Sequence, residues 1–394
     1  MNKKISLGTT ITAALLAAVL ALCGGVVLTQ NRMNAVLSSE RQQLSDKVAE
    51  IDDIVRKNFY KPLDEKSLLD GLARGYIGAL DDRYGSYMTQ EAYSATELHN
   101  DGKGVGIGIT VLQHPDDRLP YITSVVAGAP ADRAGLQAGD RITAVAGTPT
   151  TADNYSDSIS SIQGEINTPV VLTIRRGEET FDREVIRGQY DTPSVSARML
   201  SGDIGYIKIT AFNRATHEQV KAALQSLQGT AKGLLFDVRG NPGGLVDATA
   251  AILDDLLPAG TLVSATYRNG RNEVLHTSDD KRVDLPMAVL INGDSASASE
   301  LFAAAVRDLS KGALIGEKSF GKGIMQRTYV LKDKSAVKIT VAEFNPPSGT
   351  NFHGIGLVPD VEVAFTPEQA KYHFMLTDAT DPFIVAGVNY LKSK

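Results

Sequence analysis

The run Met287-Ala288-Val289-Leu290-Ile291 is apolar at every position, breaks at Asn292-Gly293-Asp294, and gives way to Leu301-Phe302-Ala303-Ala304-Ala305-Val306. That order reads as a buried strand, a tight turn and a helix. It recurs upstream, where residues 233–238, apolar except for Asp237, are followed by Arg239-Gly240-Asn241-Pro242-Gly243-Gly244 and a helical pattern from Leu245. A repeated strand–turn–helix frame restricts this part of the chain to an α/β fold.

The second turn carries Ser295-Ala296-Ser297-Ala298-Ser299-Glu300. Ser297 and Glu300 have the spacing of a reciprocal N-terminal capping box, which is the plain reading of the pair. Further on, Lys322 stands between Gly321 and Gly323 in a segment too rich in glycine for a good helix. Alone it is a solvated loop cation. Together the two features suit a nucleophile and its base. A serine needs an adjacent proton acceptor, and a desolvated lysine can supply one. The backbone N–H of Ala298, at a helix start, is also free to receive a developing oxyanion.

The serine triplet, together with Phe320-Gly321-Lys322-Gly323 and Gln326, resembles the C-terminal processing peptidases, or tail-specific proteases. The resemblance implies Ser297 as nucleophile and Lys322 as general base, 25 positions on (322 − 297). It implies Gln326, 4 positions further (326 − 322), as the residue that orients the lysine. It also implies an oxyanion hole made by the Ala298 N–H with Gly243, or with its neighbour Gly244. No metal or other cofactor is expected.

The chain has 394 residues, room for two or three domains. A net charge of −6 argues against a nucleic-acid partner. The single cysteine, Cys23, excludes an intrachain disulfide and a multi-cysteine zinc site. The histidines form no HExxH pattern.

Lys3 and Lys4 precede residues 5–29, which contain no Asp, Glu, Lys or Arg and are long enough to span a bilayer. A cleaved secretory signal shares this pattern. A lipobox at Leu20-Ala21-Leu22-Cys23-Gly24 has a large leucine before its cysteine. Apolar residues continue past Cys23 through Val26-Val27-Leu28, which favours an uncleaved single-pass anchor over residues 1–31. With the lysines inside, the catalytic part is extracytoplasmic.

Residues 32–100 read as an N-terminal helical region. Val36, Leu44, Val48, Ile51, Ile54 and Val55 recur at helical spacing up to Pro62, as a plain surface helix or as an arm for a homodimer. A second helical pattern over residues 66–80 leads into the turn Asp81-Asp82-Arg83-Tyr84-Gly85.

Residues 101–188 resemble a PDZ domain. Gly104-Val105-Gly106-Ile107-Gly108-Ile109 suits a loop that holds a peptide carboxylate while the peptide adds a strand. The second signature is Gly128-Ala129-Pro130, a short Ala-rich helix to Gly135, and Gly139-Asp140 before the strand Arg141-Ile142-Thr143-Ala144-Val145. Peptide-binding residues are expected at Gly104, Val105, Gly106 and Ile107. Residues 189–394 are the protease part.

The expected architecture is therefore α/β: a crotonase-like, ClpP-like protease core with an inserted PDZ domain and N-terminal helices. The expected activity is a membrane-anchored serine endopeptidase acting on proteins with apolar C-terminal tails. Two other classes fit parts of the pattern. One is an inactive membrane-tethered PDZ scaffold, with Ser297 only capping its helix. The other is a crotonase-like acyl-transfer enzyme, which would not need a tail-binding module. Ser278-x-x-Lys281 and Ser319-x-x-Lys322 also match a Ser-x-x-Lys pattern, but neither lies in a good helix and the partner motifs are absent. Lys318 is a nearer decoy for the base.

Overall fold

The computed structural model describes residues 38–309 and 312–394. The expected anchor, residues 1–31, lies outside them. Among the described residues no helix is long and apolar enough to cross a membrane. The described residues fall into two compact units, divided between Ala73 and Arg74.

In the first unit residues 38–58 are helical, and Pro62 lies in the break before a second helix opens at Glu65. Arg56 ties the two. Its Nε donates to Asp52 one turn back at 2.7 Å, and Nη1 and Nη2 donate to Glu65 at 2.6 and 2.9 Å. Leu44, Val48, Ile51 and Val55 from one helix, and Leu68 and Leu72 from the other, line a groove of about 660 Å³. Among the described residues Leu44 and Ile51 remain about half exposed (46% and 53%).

The second unit begins its β structure at Ser86–Met88, then runs through the helix Gln90–Asn100 to the PDZ insertion. The insertion has a neck. Lys103–Gly106, where the chain enters, pairs antiparallel with Gly188–Asp191, where it leaves. Between them lies an antiparallel sheet ordered Ile109–Gln113, Pro120–Val125, Arg141–Val145, Pro169–Arg176 and Glu179–Ile186. Its alternating inward residues, among them Ile122, Ile142, Leu172 and Ile174, are fully buried. Pro130 opens the short helix Pro130–Arg133, where a missing N–H costs nothing. Buried Asp140 takes two hydrogen bonds from Arg176, at 2.6 and 2.8 Å, and fixes the turn before Arg141–Val145. The outer hairpin is pinned to the C-terminal segment. Tyr372 Oη donates to Asp116 at 2.6 Å, and Phe374 packs on Tyr121 at 5.4 Å between ring centres.

Residues 189–394 build two further sheets, the second joined by Ser86–Met88. The first is ordered Val195–Leu200, Ile204–Ile209, Gly233–Asp237, Met287–Ile291, Gly312–Gly316 and Val361–Glu362. Only its first pair is antiparallel; the rest run parallel. Helices cover both faces, which is why Gly233–Asp237 and Met287–Ile291 are buried at every residue. Leu234, Phe236, Val289 and Ile291 face the helices Thr216–Leu227, Val246–Leu256 and Ala298–Asp308. Leu235, Ala288 and Leu290 face the C-terminal helix Pro382–Lys392. The second sheet is antiparallel, ordered Ser86–Met88, Ala336–Asn345, Gly260–Tyr267 and Asn272–Ser278, with Ile324–Val330 also paired to Ala336–Asn345. The serine helix therefore leaves the first sheet, while Lys322 leads into the second.

Candidate active site

Ser297 is the N-cap of Ala298–Asp308, with φ +57° and ψ −115°. A non-glycine residue with positive φ is costly and marks a constrained turn. The three serines divide by role. Ser295 Oγ donates to Val238 O at 2.8 Å, and Ser299 Oγ donates to Asn241 O at 2.9 Å. Both are fully buried and staple the serine turn to the turn after Gly233–Asp237. Ser297 alone is partly exposed; it forms a capping box with Glu300, in which no full N-cap hydrogen bond closes on the serine hydroxyl.

Glu300 does more than cap. Its carboxylate is fully buried. It accepts from Ser297 N at 2.8 Å, Lys322 N at 2.8 Å, Gly321 N at 2.7 Å and Ser319 Oγ at 2.6 Å. A buried carboxylate needs this many donors, and here they come from both halves of the site. Glu300 thereby locks the Gly321-Lys322 backbone to the serine turn. Sequence spacing showed only its link to Ser297; nothing local marked the other three donors.

Gly321 sits at φ +92°, and a Cβ there would lie 2.9 Å from Gly356 N. The Gly-Lys-Gly pattern thus reflects a tight path on which Lys322 is the one large side chain. The amine lies 4.6 Å from the centre of the Tyr84 ring. Burial, and then the charge of Lys338, push it below the usual lysine range, while Asp82 and Glu300 oppose the shift. No hydrogen bond joins it to Ser297 Oγ among the described residues. Such contacts often tighten only with substrate bound. Gln326 lies in the strand Ile324–Val330 that follows the lysine. Its Nε2 donates to Thr340 Oγ1 at 3.2 Å and to Ile324 O at 3.3 Å.

The loop after Gly233–Asp237 packs directly on the serine. A Cβ at Gly243 (φ +104°) would lie 2.9 Å from Ala298 N, 2.9 Å from Ser297 Cβ and 2.7 Å from Ala296 O. The Gly243 N–H donates to Asn241 Oδ1 at 2.8 Å. Gly244 is exposed, and neither its N–H nor that of Ala298 has an acceptor among the described residues. Beneath the loop, Arg239 bridges Asp237 (Nη2, 2.6 Å) and Asp381 (Nη2, 3.0 Å), holding it against the C-terminal helix.

The decoys are accounted for. Ser319 Oγ donates to Glu300, and Ser278 Oγ donates to Pro258 O. Lys281 pairs with Asp279 at 3.2 Å, and Lys318 is exposed.

In the PDZ domain, Gly104, Val105 and Gly106 lie in the neck ladder, and Ile107 is buried with its carbonyl accepting from Ala131 N at 2.8 Å. Gly106 and Gly108 both have positive φ, 135° and 83°, and turn the chain into Ile109–Gln113. That strand is the edge of its sheet.

Residues 203–363 match the model of peptidase family S41, residues 121–176 that of the PDZ domain, and residues 26–92 that of the "Activating protease CtpB N-terminal domain". The carboxy-terminal processing protease CtpA of Bacillus subtilis is 33% identical over 338 residues, covering 85% of this chain and 72% of that one. A carboxy-terminal-processing protease of Bartonella bacilliformis is 33% identical over 354 residues, covering 86% and 80%. Among solved structures, the photosystem II D1 C-terminal processing protease superposes with a TM-score of 0.51 at 25% identity, covering 85% of this chain and 92% of that one. An S41 protease from Bacteroides fragilis shares the fold, with a TM-score of 0.60 at 17% identity over 87% and 97%.

An S41 core with an inserted PDZ domain, and these relatives, define a serine-type peptidase acting on proteins. The chain belongs to the C-terminal processing peptidases of family S41.

Proposed function

We propose that this protein captures protein C-terminal tails through its PDZ domain and cuts them with a Ser297–Lys322 dyad outside the cell membrane. The observation that carries the dyad is the pairing made by Glu300: one buried carboxylate holds the backbones of an uncommitted serine and a half-buried, charge-disfavoured lysine.

Neutral Lys322 takes the Ser297 proton as Oγ bonds to the scissile carbonyl carbon. The oxyanion is received by the N–H groups of Ala298 and Gly244, which have no acceptor among the described residues, whereas that of Gly243 is held by Asn241 Oδ1. Protonated Lys322 gives its proton to the leaving nitrogen as the C–N bond breaks. Water then gives a proton to Lys322 as it attacks the acyl carbon, and Lys322 returns that proton to Ser297 Oγ as the ester C–O bond breaks. Gln326, through a neutral amide, orients the amine without favouring its charged form as a carboxylate would. To act as a base at neutral pH the lysine must titrate below its ordinary range, the direction in which burial and then Lys338 push it.

For tail capture, Gly106 to Gly108 offers backbone N–H groups to a terminal carboxylate, and the open edge of Ile109–Gln113 offers a place for the tail as an added strand. An unfolded substrate ending in apolar residues should be cut efficiently. Amidating its C-terminus should raise KM well above that of the free acid. Equal KM for the two forms would end the tail-capture reading and leave the dyad untouched.

The N-terminal segment is the anchor, and the apolar stripe of residues 38–72 is where a second copy docks. Intact-mass analysis and sedimentation of the detergent-purified protein should find Met1, or Asn2 after methionine removal, retained, and a mass near twice that of the 42.0 kDa chain. A new terminus between Cys23 and Asn31 excludes the anchor, and a monomer at high concentration excludes the arm.

A further inference from the structure

The acidic turn at residues 81–85 has no assigned part in the chemistry, yet it touches the base directly and reaches the base's orienting residue through Thr340. Asp82 Oδ2 accepts from Thr340 N at 2.8 Å and Oδ1 accepts from Thr340 Oγ1 at 3.0 Å, across 258 positions of sequence. Oδ1 also accepts from Tyr84 N at 3.0 Å, and the ring of Tyr84 covers the Lys322 amine at 4.6 Å. On the other side of Thr340 lies Gln326, whose Nε2 donates to Thr340 Oγ1 at 3.2 Å.

These bonds have a sense. An ionised carboxylate only accepts, so Thr340 must spend its single hydroxyl proton on Asp82. Thr340 Oγ1 is then an acceptor toward Gln326 and fixes the amide with its nitrogen facing Thr340. Ile324 O takes the other amide proton at 3.3 Å. The one polar atom of Gln326 left over is Oε1, an acceptor, which is what an amine must meet if it is to be held as a donor and keep its lone pair for Ser297.

We propose that Asp82 is a positioning residue for the Lys322 base, acting through Thr340 to set the orientation of the Gln326 amide and through Tyr84 to fix the ring over the amine. This rests on Lys322 being the base. The charged groups around the amine are Lys338 on the neighbouring strand, Asp82 in the turn and Glu300 on the serine helix, with the Arg83 guanidinium 5.8 Å from the centre of the Tyr84 ring. Burial would raise the Asp82 carboxyl, but the donors from Thr340, Tyr84 and Gly85 outweigh it and hold the group below its usual range. Asp82 is therefore ionised wherever the enzyme works, and its charge supports the protonated lysine.

The test measures kcat, KM and the acid limb of the rate–pH profile for Asp82→Asn, Thr340→Val, Thr340→Ser and the Asp82→Asn/Thr340→Val double variant. Thr340→Val loses the hydroxyl but keeps the β-branched shape, so Gln326 loses its orientation. Its kcat should fall between about 10- and 100-fold, the scale of a misplaced catalytic group, with KM little changed. Thr340→Ser should restore kcat. Asp82→Asn should lower kcat similarly and also move the acid limb to lower pH, because a charge that favours the protonated lysine is gone. The double variant should be no worse than the poorer single one, since both break one chain.

Wild-type kcat in Thr340→Val, or Thr340→Ser as poor as Thr340→Val, overturns the relay, as does an acid limb unmoved by Asp82→Asn. Should Asp82→Asn fold poorly, the two Thr340 variants decide alone. An active Lys322→Arg protein would sink the dyad itself; failure of the relay leaves Lys322→Arg inactive and is thereby told apart.

Discussion

Ser297→Ala is expected to fold as the wild type does and to cut nothing. The change removes a hydroxyl that takes part in the capping box with Glu300 but closes no full N-cap hydrogen bond, so the loss should stay below the usual value of about 1 kcal/mol for a missing N-cap. Alanine bears the same positive-φ strain as serine at this position, and the Glu300 bond to the residue 297 N–H is kept. Unfolding free energy should thus stay within about 0.5 kcal/mol of wild type. Activity should fall by the amount a lost nucleophile costs other serine hydrolases, on the order of 10⁶ in kcat. Lys322→Ala should be as inactive. Denaturant unfolding beside a cleavage assay checks both halves. A protein destabilised by about 1 kcal/mol that still cuts would make Ser297 a cap after all.

The second large effect is at Gly243. Gly243→Ala places a methyl group 2.7 Å from Ala296 O and 2.9 Å from Ala298 N, at a φ of +104° that side chains rarely adopt. Neither neighbour can give way. Ala296 N is bonded to Asn241 O at 3.1 Å, and Ser295 and Ser299 staple the same two turns together. The turns must separate, carrying the Ala298 N–H away from the Gly243-Gly244 peptide. Loss of one oxyanion donor alone costs about 10² to 10³ in kcat, and both the donor and the serine move here. The expected result is a loss of at least that size with a lowered melting temperature. A Gly243→Ala protein with wild-type kcat would show that this loop is not the oxyanion loop.

How much of this was legible beforehand follows from where the information sits. The apolar runs Met287–Ile291 and Gly233–Asp237 announced buried strands because both their faces are covered, and the turn chemistry after each marked the helix starts. The serine, the lysine and their spacing were visible because they lie on one continuous stretch. The spread of the site beyond that stretch was not. Glu300 read as a capping residue, since only one of its four donors, Ser297 N, is local. Ser295 and Ser299 had no role of their own in the sequence, because their carbonyl partners lie 57 and 58 positions away. Asp82 read as turn filler for the same reason. In the PDZ domain the glycine pattern pointed to a carboxylate loop, yet Gly104 and Gly106 also belong to the neck ladder with Gly188–Asp191, a pairing that no local pattern reveals.

The account turns on Lys322 working as an uncharged base. Its side chain is held below the usual lysine range by burial and by Lys338, so the fraction able to accept the Ser297 proton grows with pH. The direct measurement is kcat/KM for a free-tailed unfolded substrate from about pH 5 to 9, the window in which a tuned lysine titrates, for wild type and Lys322→Arg. The wild-type rate should climb with pH and level off once the amine is neutral, and the arginine variant, protonated throughout, should be inactive at every point. A flat wild-type profile, or cleavage by Lys322→Arg, would contradict the dyad.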